Sequence, residues 1–286
     1  MKDYVIRLKD GRNLAVTECG NPEGKPILYF HGIPGTRLDV CAIEESAKET
    51  GVRIIGLDRP GIGLSTFKPK RQIVDWPEDI LELVTSLEIE QFSVIGFSSG
   101  SPYALICALK LPERVNVCGL LGAISPTFGK GGIFKFLYEA FIARVLFSII
   151  HKKVKQGTDA MQKFLEKNID KLSPAIIDQE LFKKTENMDF ALRMGFEYVR
   201  QGLKGALLDK MIILKDWGFT LGEGEISSKI LLFHGKQDKN VPVSEGLKLE
   251  ACVPGCKANY FPDYGHLSLF LNGAKVYLSS IAREIP

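Results

Sequence analysis

Residues 92–100 read FSVIGFSSG, an apolar, β-rich run that ends in the pentapeptide GFSSG at 96–100. Residues 101–111 after it predict a helix. A strand, a G-x-S-x-G turn and a helix together are typical of a serine nucleophile held on a sharp, strained turn. The positions two residues away on either side must be small, and Ser98 has glycine at both. We therefore predict Ser98, rather than Ser99, as the nucleophile.

The composition is that of a globular protein and argues against a nucleic-acid partner. The chain has 286 residues, of which 45% are hydrophobic and 25% are charged, enough for one large α/β domain or two small ones. The formal net charge is only +3, and no basic aromatic groove is visible in the sequence. The first ten residues lack the apolar segment of a signal peptide. We predict a cytoplasmic protein that does not bind nucleic acid.

The most hydrophobic window spans residues 133–150, and charged residues at Lys135, Glu139 and Arg144 interrupt it. A bilayer-spanning helix needs about 20 predominantly apolar residues, so we predict no stable membrane insertion. The six cysteines show neither a disulfide framework nor zinc-ligand spacing, which favours free thiols in a reducing compartment and no metal site.

Strands and helices alternate over the first and last parts of the chain, a pattern typical of a parallel sheet with crossover helices. An antiparallel pair around Asp10-Gly11 precedes this alternation. The predicted strands are 4–8, 13–18, 27–30, 52–57, the apolar run that opens the segment 92–100, 114–121, 229–235 and 258–261. The predicted helices outside the middle of the chain are 38–50, 75–87, 101–111, 244–251 and one continuous final helix from about Leu267.

The alternation stops between Ser125 and about Gly224, where the pattern predicts helices and no strand. The predicted helices are 133–150, 164–172, 175–185, 190–201 and 207–216. We interpret this part as a helical cap inserted into an α/β core. The predicted boundaries are 1–124 for the first part of the core, 125–225 for the cap and 226–286 for the second part of the core. By count the cap holds 16 Lys and Arg against 13 Asp and Glu.

The segment HGIPG at 31–35 follows a predicted buried strand and concentrates two glycines and a proline. Such a loop can point a backbone amide outward, where it stabilises charge that develops on a carbonyl oxygen. The predicted oxyanion donors are the N–H groups of Ile33 and of Ser99; a plain tight turn is the alternative. His31 is expected to be a structural hydrogen bonder. Asp58, in a loop rich in glycine and proline, is expected to accept backbone N–H bonds.

Five segments in order and in register carry a family resemblance. They are HGIPG at 31–35, DRPGIGLS at 58–65, GFSSG at 96–100, HGKQDKNVP at 234–242 and GH at 265–266. With these segments the sequence resembles the α/β-hydrolase superfamily over essentially its whole length. The resemblance implies an α/β fold with a mostly parallel central sheet flanked by helices and an inserted helical cap.

The resemblance also implies a catalytic triad in the order serine, acid, histidine. Transferred residue by residue, the triad is Ser98, Asp238 and His266, each on a loop that follows a predicted strand. His266 would accept the serine proton, and Asp238 would orient the imidazole and stabilise its charged form. Asp263 is the alternative acid. His151 and His234 fit the base less well, because the first lies in the cap and the second at the end of a strand.

A serine at this turn excludes those relatives that use aspartate there, and it favours acyl chemistry. We predict a serine hydrolase of the carboxylesterase type that cleaves a small or medium apolar ester through an acyl-enzyme. The alternatives are an aminopeptidase, a C–C bond hydrolase or an acyltransferase on the same triad, and a receptor-like or signalling protein with slow turnover. The GFSSG segment matches proline iminopeptidases less well.

The cap is rich in phenylalanine, which indicates an apolar pocket for the acyl or alcohol group. Phe134 and Phe141 are the candidate substrate-binding residues of the cap. The sequence contains no nucleotide loop and no flavin fingerprint, so we predict no cofactor and a small-molecule substrate of the ester type. The sequence leaves a monomer and a homodimer as alternatives.

Overall fold

The structure, a computed structural model, describes residues 1–222 and 226–286, and within them eight strands form one sheet. The strands are β1 (Lys2–Arg7), β2 (Asn13–Gly20), β3 (Lys25–Phe30), β4 (Val52–Leu57), β5 (Phe92–Phe97), β6 (Val115–Leu121), β7 (Lys229–Gly235) and β8 (Lys257–Phe261). The helices of the core are α1 (Glu44–Glu49), α2 (Trp76–Ser86), α3 (Ser101–Lys110), α9 (Val243–Cys252), α10 (His266–Asn272) and α11 (Ala274–Glu284). The helices between β6 and β7 are α4 (Gly132–Gln156), α5 (Thr158–Leu172), α6 (Ile176–Leu181), α7 (Thr185–Tyr198) and α8 (Lys204–Leu214).

The strand order is β1-β2-β4-β3-β5-β6-β7-β8, with β1 and β2 antiparallel to their neighbours and the remaining pairs parallel. The central strand β5 is buried at all six positions, because helices cover both faces of a parallel sheet. The carboxyl ends of β3, β5 and β7 therefore meet at one edge, where open α/β sheets bind ligands. The predicted fold class is confirmed.

Alternating side chains divide the core into two layers. On β3, Leu28 and Phe30 pack with apolar residues of α2 and α3, whereas Ile27 and Tyr29 pack with α1 and α11 on the opposite face. This follows from the two-residue period of a strand, which turns successive side chains to opposite faces. The sheet thus has an apolar cluster on each face, and the predicted site residues follow strands that are buried between the two clusters.

Helices α4–α8 lie between β6 and β7, and we call the segment 125–222 the cap. It has an apolar cluster of its own, in which Phe147 and Tyr198 pack edge to face at 5.5 Å, together with Met161 and Leu192. Ile62, from a loop of the core, joins this cluster. The described part of the predicted insertion contains helices and no strand, as predicted. The predicted end of the cap, residue 225, lies outside the described residues.

Buried charges fasten the cap to the core. Asp209 of α8 is fully buried and accepts hydrogen bonds from the guanidinium groups of Arg59, at 2.7 Å, and Arg71, at 2.6 Å. Burial raises the pKa of Asp209, but the two guanidinium groups outweigh it and hold the pKa well below its usual range. The carboxylate is therefore ionised, and it is the shared counter-charge of two buried guanidinium groups.

A second buried ion pair lies at another point of contact between the cap and the core. Arg37 bonds Glu197 of the cap at 2.5 Å and Asp58 of the core at 2.7 Å. Asp58 also accepts the backbone N–H groups of Arg37, at 2.7 Å, and Leu64, at 3.0 Å. The prediction that Asp58 accepts backbone N–H bonds is confirmed.

Helix boundaries differ from the prediction in the core and in the cap. The final helix is split at Gly273 into α10 and α11, and the segment Arg37–Ile43 is a 3-10 helix that precedes α1. In the cap, α4 runs six residues beyond its predicted end, α5 begins six residues before its predicted start, α6 ends at Leu181 rather than at 185, and α7 covers Thr185–Tyr198 rather than 190–201. All six cysteines are free thiols, as predicted. Among residues 1–222 and 226–286, no helix is long and apolar enough to cross a membrane.

Substitution Asp209→Asn should destabilise the protein by about 3–5 kcal/mol, because it leaves the guanidinium of Arg59 buried without its counter-charge. The free energy of unfolding in urea measures this loss. Asp216→Asn is the control, since Asp216 is 85% exposed and lies 3.9 Å from Lys130, and it should change stability by less than about 0.5 kcal/mol. Equal midpoints for the two variants would contradict the anchoring role of Asp209.

Candidate active site

Ser98 sits at the turn between β5 and α3 with a backbone φ of 54°, in the left-handed region that non-glycine residues rarely adopt. A Cβ atom at Gly96 would lie 2.6 Å from the carbonyl oxygen of Gly100, and one at Gly100 would overlap the carbonyl group of Phe30. The two glycines are therefore required by close backbone approach. The turn holds Ser98 in a conformation that costs about 1–3 kcal/mol and places its side chain at the carboxyl end of β5.

His266 and Asp238 form a hydrogen-bonded pair, although 28 residues separate them in sequence. His266 Nδ1 lies 2.6 Å from Asp238 Oδ2, and Nδ1–H donates to this carboxylate. The other carboxylate oxygen accepts the backbone N–H groups of Asn240, at 2.9 Å, and Val241, at 2.7 Å. These bonds fix the acid, and the acid fixes the tautomer of the imidazole, so that Nε2 is left as the proton acceptor.

The environment of His266 favours the charged imidazolium. Burial lowers its pKa, but the charge of Asp238 and the hydrogen bond to it outweigh burial, and the charge of Asp178 adds to them, so the pKa is raised. The ring of Phe97 lies against the imidazole, with centroids 4.7 Å apart. An imidazole held in this way is suited to accept a proton from a neighbouring hydroxyl.

The alternative site residues do not take part in the hydrogen bond between Asp238 and His266. Asp263 is exposed, whereas Asp238 contacts His266 directly. His234 is buried, its Nε2–H donates to the carbonyl oxygen of Val241 at 2.8 Å, and burial lowers its pKa. His151 lies on α4 of the cap. The geometry therefore favours Asp238 as the acid and His266 as the base.

The loop after β3 brings Ile33 next to the turn at Ser98, where Ile33, Ser98 and Ser99 line the same cavity. The loop is held from behind by His31 and Arg59. His31 Nδ1–H donates to the carbonyl oxygen of Gly32 at 2.8 Å, and Arg59 donates to the carbonyl groups of both His31 and Gly32. His31 is thus a structural hydrogen bonder, as predicted, and burial lowers its pKa well below the usual value.

Sequence reasoning missed Asp178, a fully buried residue of the cap helix α6. Its carboxylate accepts the backbone N–H groups of His266, at 2.8 Å, Leu267, at 3.1 Å, and Ser268, at 2.8 Å. These are the first amides of α10, which lack partners inside the helix. A cap residue therefore holds the start of the helix that carries the candidate base. The only signal in the sequence is an aspartate in an apolar helical stretch. From the pattern alone, this aspartate is predicted to be exposed to solvent.

A cavity of about 360 Å³ lies between the core and the cap, and both contribute residues to its wall. The predicted residues Ile33, Ser98, Ser99 and His266 all line it. Apolar side chains of the cap form much of the remaining wall; they include Ile150, Met161, Phe164, Leu165, Phe182 and Phe190.

The predicted pocket residues Phe134 and Phe141 do not belong to this wall. They lie on the outer side of α4 and are 85% and 63% exposed. The prediction that they contact substrate is wrong for this structure, because α4 is apolar on both its inner and outer sides and periodicity alone does not choose between them. Aromatic residues that the cap does contribute to the cavity include Phe164 of α5, Phe182 directly after α6, and Phe190 and Tyr198 of α7.

The charged groups on the cavity are few. Asp39 lies on the wall, and burial raises its pKa to about 7, although the N–H of Thr36 and the hydroxyl of Tyr29 donate to its carboxylate. Lys210 also lies on the wall, and its ammonium group is 3.6 Å from Glu139. Near neutral pH the cavity is therefore an apolar space with a small net charge.

Comparison with known proteins places these features in context. Residues 25–273 match the sequence model of the family described as alpha/beta hydrolase fold. The chain is 26% identical over 221 residues to a 2-hydroxy-6-oxononadienedioate/2-hydroxy-6-oxononatrienedioate hydrolase of Comamonas testosteroni, which covers 76% of this chain and 72% of that relative. It is 23% identical over 288 residues to the proline iminopeptidase of Xylella fastidiosa, over 92% and 90% of the two chains.

Among solved structures, an esterase from Exiguobacterium antarcticum superposes with a TM-score of 0.71 over 99% of this chain and 98% of the esterase chain. The two sequences are 20% identical, so this likeness concerns the fold alone.

The titration of His266 by NMR tests the electrostatics of the site. We expect a pKa above about 6.5 in the wild-type protein and a lower pKa in Asp238→Asn, because burial then acts without the opposing carboxylate. Asp178→Asn should also lower the pKa of His266, by a smaller amount, because it removes a more distant charge.

Glu180→Gln is the matched control for Asp178→Asn, since Glu180 lies on the same helix but is exposed and pairs with Lys183 at 2.5 Å. It should leave the pKa of His266 unchanged. An unchanged His266 titration in Asp238→Asn would show that the carboxylate does not act on the imidazole.

Proposed function

Because this chain belongs to the alpha/beta hydrolase fold family, we propose that it is a serine hydrolase that cleaves an uncharged, apolar ester through an acyl-enzyme. Ser98 is the nucleophile, His266 the base and Asp238 the acid that orients the base. The observation that carries this proposal is that Ser98 and the bonded His266–Asp238 pair meet at one apolar cavity between core and cap.

The reaction follows from the positions of these groups. Ser98 Oγ attacks the carbonyl carbon of the ester while His266 Nε2 takes the hydroxyl proton, and Asp238 stabilises the resulting imidazolium. The N–H groups of Ile33 and Ser99 stabilise the negative charge on the carbonyl oxygen. Collapse of the tetrahedral intermediate releases the alcohol, which takes the proton from His266. A water molecule, deprotonated by His266, then attacks the acyl-Ser98 ester. The second tetrahedral intermediate releases the carboxylic acid as His266 returns the proton to Ser98 Oγ.

The chemistry of the cavity supports an apolar acyl or alcohol group. Its volume of about 360 Å³ lies within the usual range for small-molecule sites, and most of its wall consists of aliphatic and aromatic side chains. Burial of apolar substrate surface against this wall favours binding by about 25 cal/mol per Å² before the cost of association. The cap contributes to this part of the wall, so it acts as the lid that selects the substrate.

Hydrolysis of a C–C bond is the second candidate, because the Comamonas testosteroni relative is named for a dicarboxylate substrate. A buried dicarboxylate needs cationic or hydrogen-bonding partners. Lys210 is the cationic side chain on the wall of the cavity, and Glu139 already neutralises it. The charge of the cavity therefore favours a neutral ester over a dicarboxylate.

A peptidase that recognises a free N-terminus needs a carboxylate for the ammonium group of its substrate. Asp39 is the carboxylate on the cavity wall, but its oxygens already accept hydrogen bonds from Tyr29, at 3.0 Å, and Thr36, at 3.1 Å. Because the elevated pKa leaves this group largely neutral below about pH 7, it is a poor partner for an ammonium ion. The ester remains the better fit.

An assay with p-nitrophenyl esters of increasing acyl length tests the proposal. We expect repeated turnover by the wild type, a loss of kcat on the order of 10⁴-fold or more in Ser98→Ala, and a strong loss in Asp238→Ala. A dicarboxylate ring-cleavage product and a prolyl-p-nitroanilide should be turned over more slowly than the best ester. Undiminished activity of Ser98→Ala would exclude the proposed nucleophile. A single burst without turnover in the wild type would support a receptor-like protein instead.

Ala191→Phe should shift the preferred acyl chain to shorter esters, because Ala191 lines the cavity and the larger side chain fills part of it. The ratio of kcat/KM for long esters to that for short esters should fall at least about ten-fold, because one methylene group more or less in an apolar pocket typically changes kcat/KM by this much. Arg193→Phe places the same side chain on the exposed side of the same helix and should leave the ratio unchanged. An unchanged ratio in Ala191→Phe would mean that the acyl chain binds elsewhere.

A further inference from the structure

Helix α4 is apolar on two opposite sides. Its inner side contributes Ala143, Phe147 and Ile150, which are buried in the cluster of the cap, and Ile150 also lines the cavity. A helix that is apolar all round normally has neighbours all round. Here α4 packs mainly against α5, α7 and α8, which leaves its other side at the surface.

The outer side carries a continuous apolar stripe four turns long. Its first residues, all exposed, are Ile133, Phe134, Leu137, Tyr138, Phe141 and Ile142. The stripe continues through Val145 and Ile149. We call these residues the outer stripe of α4. Contiguous exposed apolar surface of this kind, rather than single exposed residues, marks a site of contact with another body.

The exposed charges that border the outer stripe are basic. Lys135 and Arg144 flank it, and Lys152 and Lys155 follow it on the last turns of the helix. The acidic residue of α4, Glu139, is partly buried and lies 3.6 Å from the ammonium group of Lys210, so its charge is neutralised within the cap. An apolar stripe edged by basic side chains matches the composition of helices that lie in the interface of an anionic bilayer.

We propose that the outer stripe of α4 is a docking surface for a lipid bilayer that contains anionic headgroups. The stripe runs along the side of the helix, so α4 lies in the plane of the headgroups, with Phe134 and Phe141 directed into the acyl region and the basic side chains at the phosphates. Contact of this kind is peripheral and reversible. The proposal rests on the surface of the cap alone and does not depend on the assignment of the triad.

The same charges disfavour a second copy of the chain as the occupant. In an antiparallel two-fold contact centred on Phe141, Arg144 of one copy falls opposite Tyr138 of the other and meets no acidic residue there. A parallel contact sets every basic residue beside its own equivalent. Like charges in such positions oppose association, whereas an anionic surface is complementary to all of them.

Flotation with lipid vesicles tests the proposal. The wild-type protein should bind vesicles of equimolar phosphatidylcholine and phosphatidylglycerol and should bind phosphatidylcholine alone at least about ten-fold more weakly. Binding should also fall in about 1 M NaCl, where the Debye length is about 3 Å. The double variant Phe134→Asp, Phe141→Asp should lose at least about ten-fold in affinity for the anionic vesicles.

Two further variants show whether a loss of vesicle binding comes from the outer stripe and its basic border, rather than from unfolding or from the loss of any exposed apolar residue. Arg144→Gln with Lys152→Gln retains the outer stripe and should weaken binding to anionic vesicles only. Leu247→Asp is the matched control, because Leu247 is 52% exposed on α9 of the core, and it should bind as the wild type does. The thermal midpoint of each variant verifies that it is folded.

Three results would overturn the proposal. One is the failure of the wild type to bind either kind of vesicle. Another is equal binding by the wild type and the Phe134→Asp, Phe141→Asp variant. The third is a dimer of the wild type, measured by light scattering without lipid, that the same double substitution dissociates, since the outer stripe would then be covered by a second copy.

Discussion

The fully buried guanidinium of Arg59 is the constraint on which the arrangement of core and cap depends. It donates to the carbonyl groups of His31 and Gly32 in the core and to Asp209 in the cap. A buried charge without its partner is strongly unfavourable. If the cap moved away from the core, it would take Asp209 with it and leave the guanidinium of Arg59 without its counter-charge. The loop that presents Ile33 and the lid over the cavity are therefore joined through one side chain.

The candidate site is ordered before substrate arrives. Ser98 is held by backbone strain, the imidazole of His266 by Asp238, and the first turn of α10 by Asp178 of the cap. Each of these contacts holds a side chain in one orientation, so this orientation need not be acquired during the proposed reaction. Groups held in place in this way stabilise developing charge without reorganisation. The cap thus acts on the candidate site in two ways, because it forms part of the apolar wall and also holds the helix that carries the candidate base.

Local patterns were sufficient to predict the sheet and the residues grouped at its edge. The bounds of β4 and β7 agree with the prediction, because a short apolar run bordered by turn residues is typical of a buried strand. The same reasoning missed Asp178 and Asp209, because a charged residue on a predicted helix is normally solvent-exposed and its burial depends on a partner distant in sequence. It also misassigned Phe134 and Phe141, because both sides of α4 are apolar and the choice between them is made by tertiary packing.

In the proposed reaction, Ser98 attacks a carbonyl group and carries the acyl intermediate. The most direct measurement is mass spectrometry of the protein after reaction with an alkyl fluorophosphonate, followed by peptide mapping of the modified residue. We expect one phosphonyl group per chain, attached to Ser98, and no labelling of protein that was unfolded first, since the activation of Ser98 depends on the folded site. An adduct on another residue, or rapid ester turnover by protein that the reagent does not label, would contradict the proposed reaction.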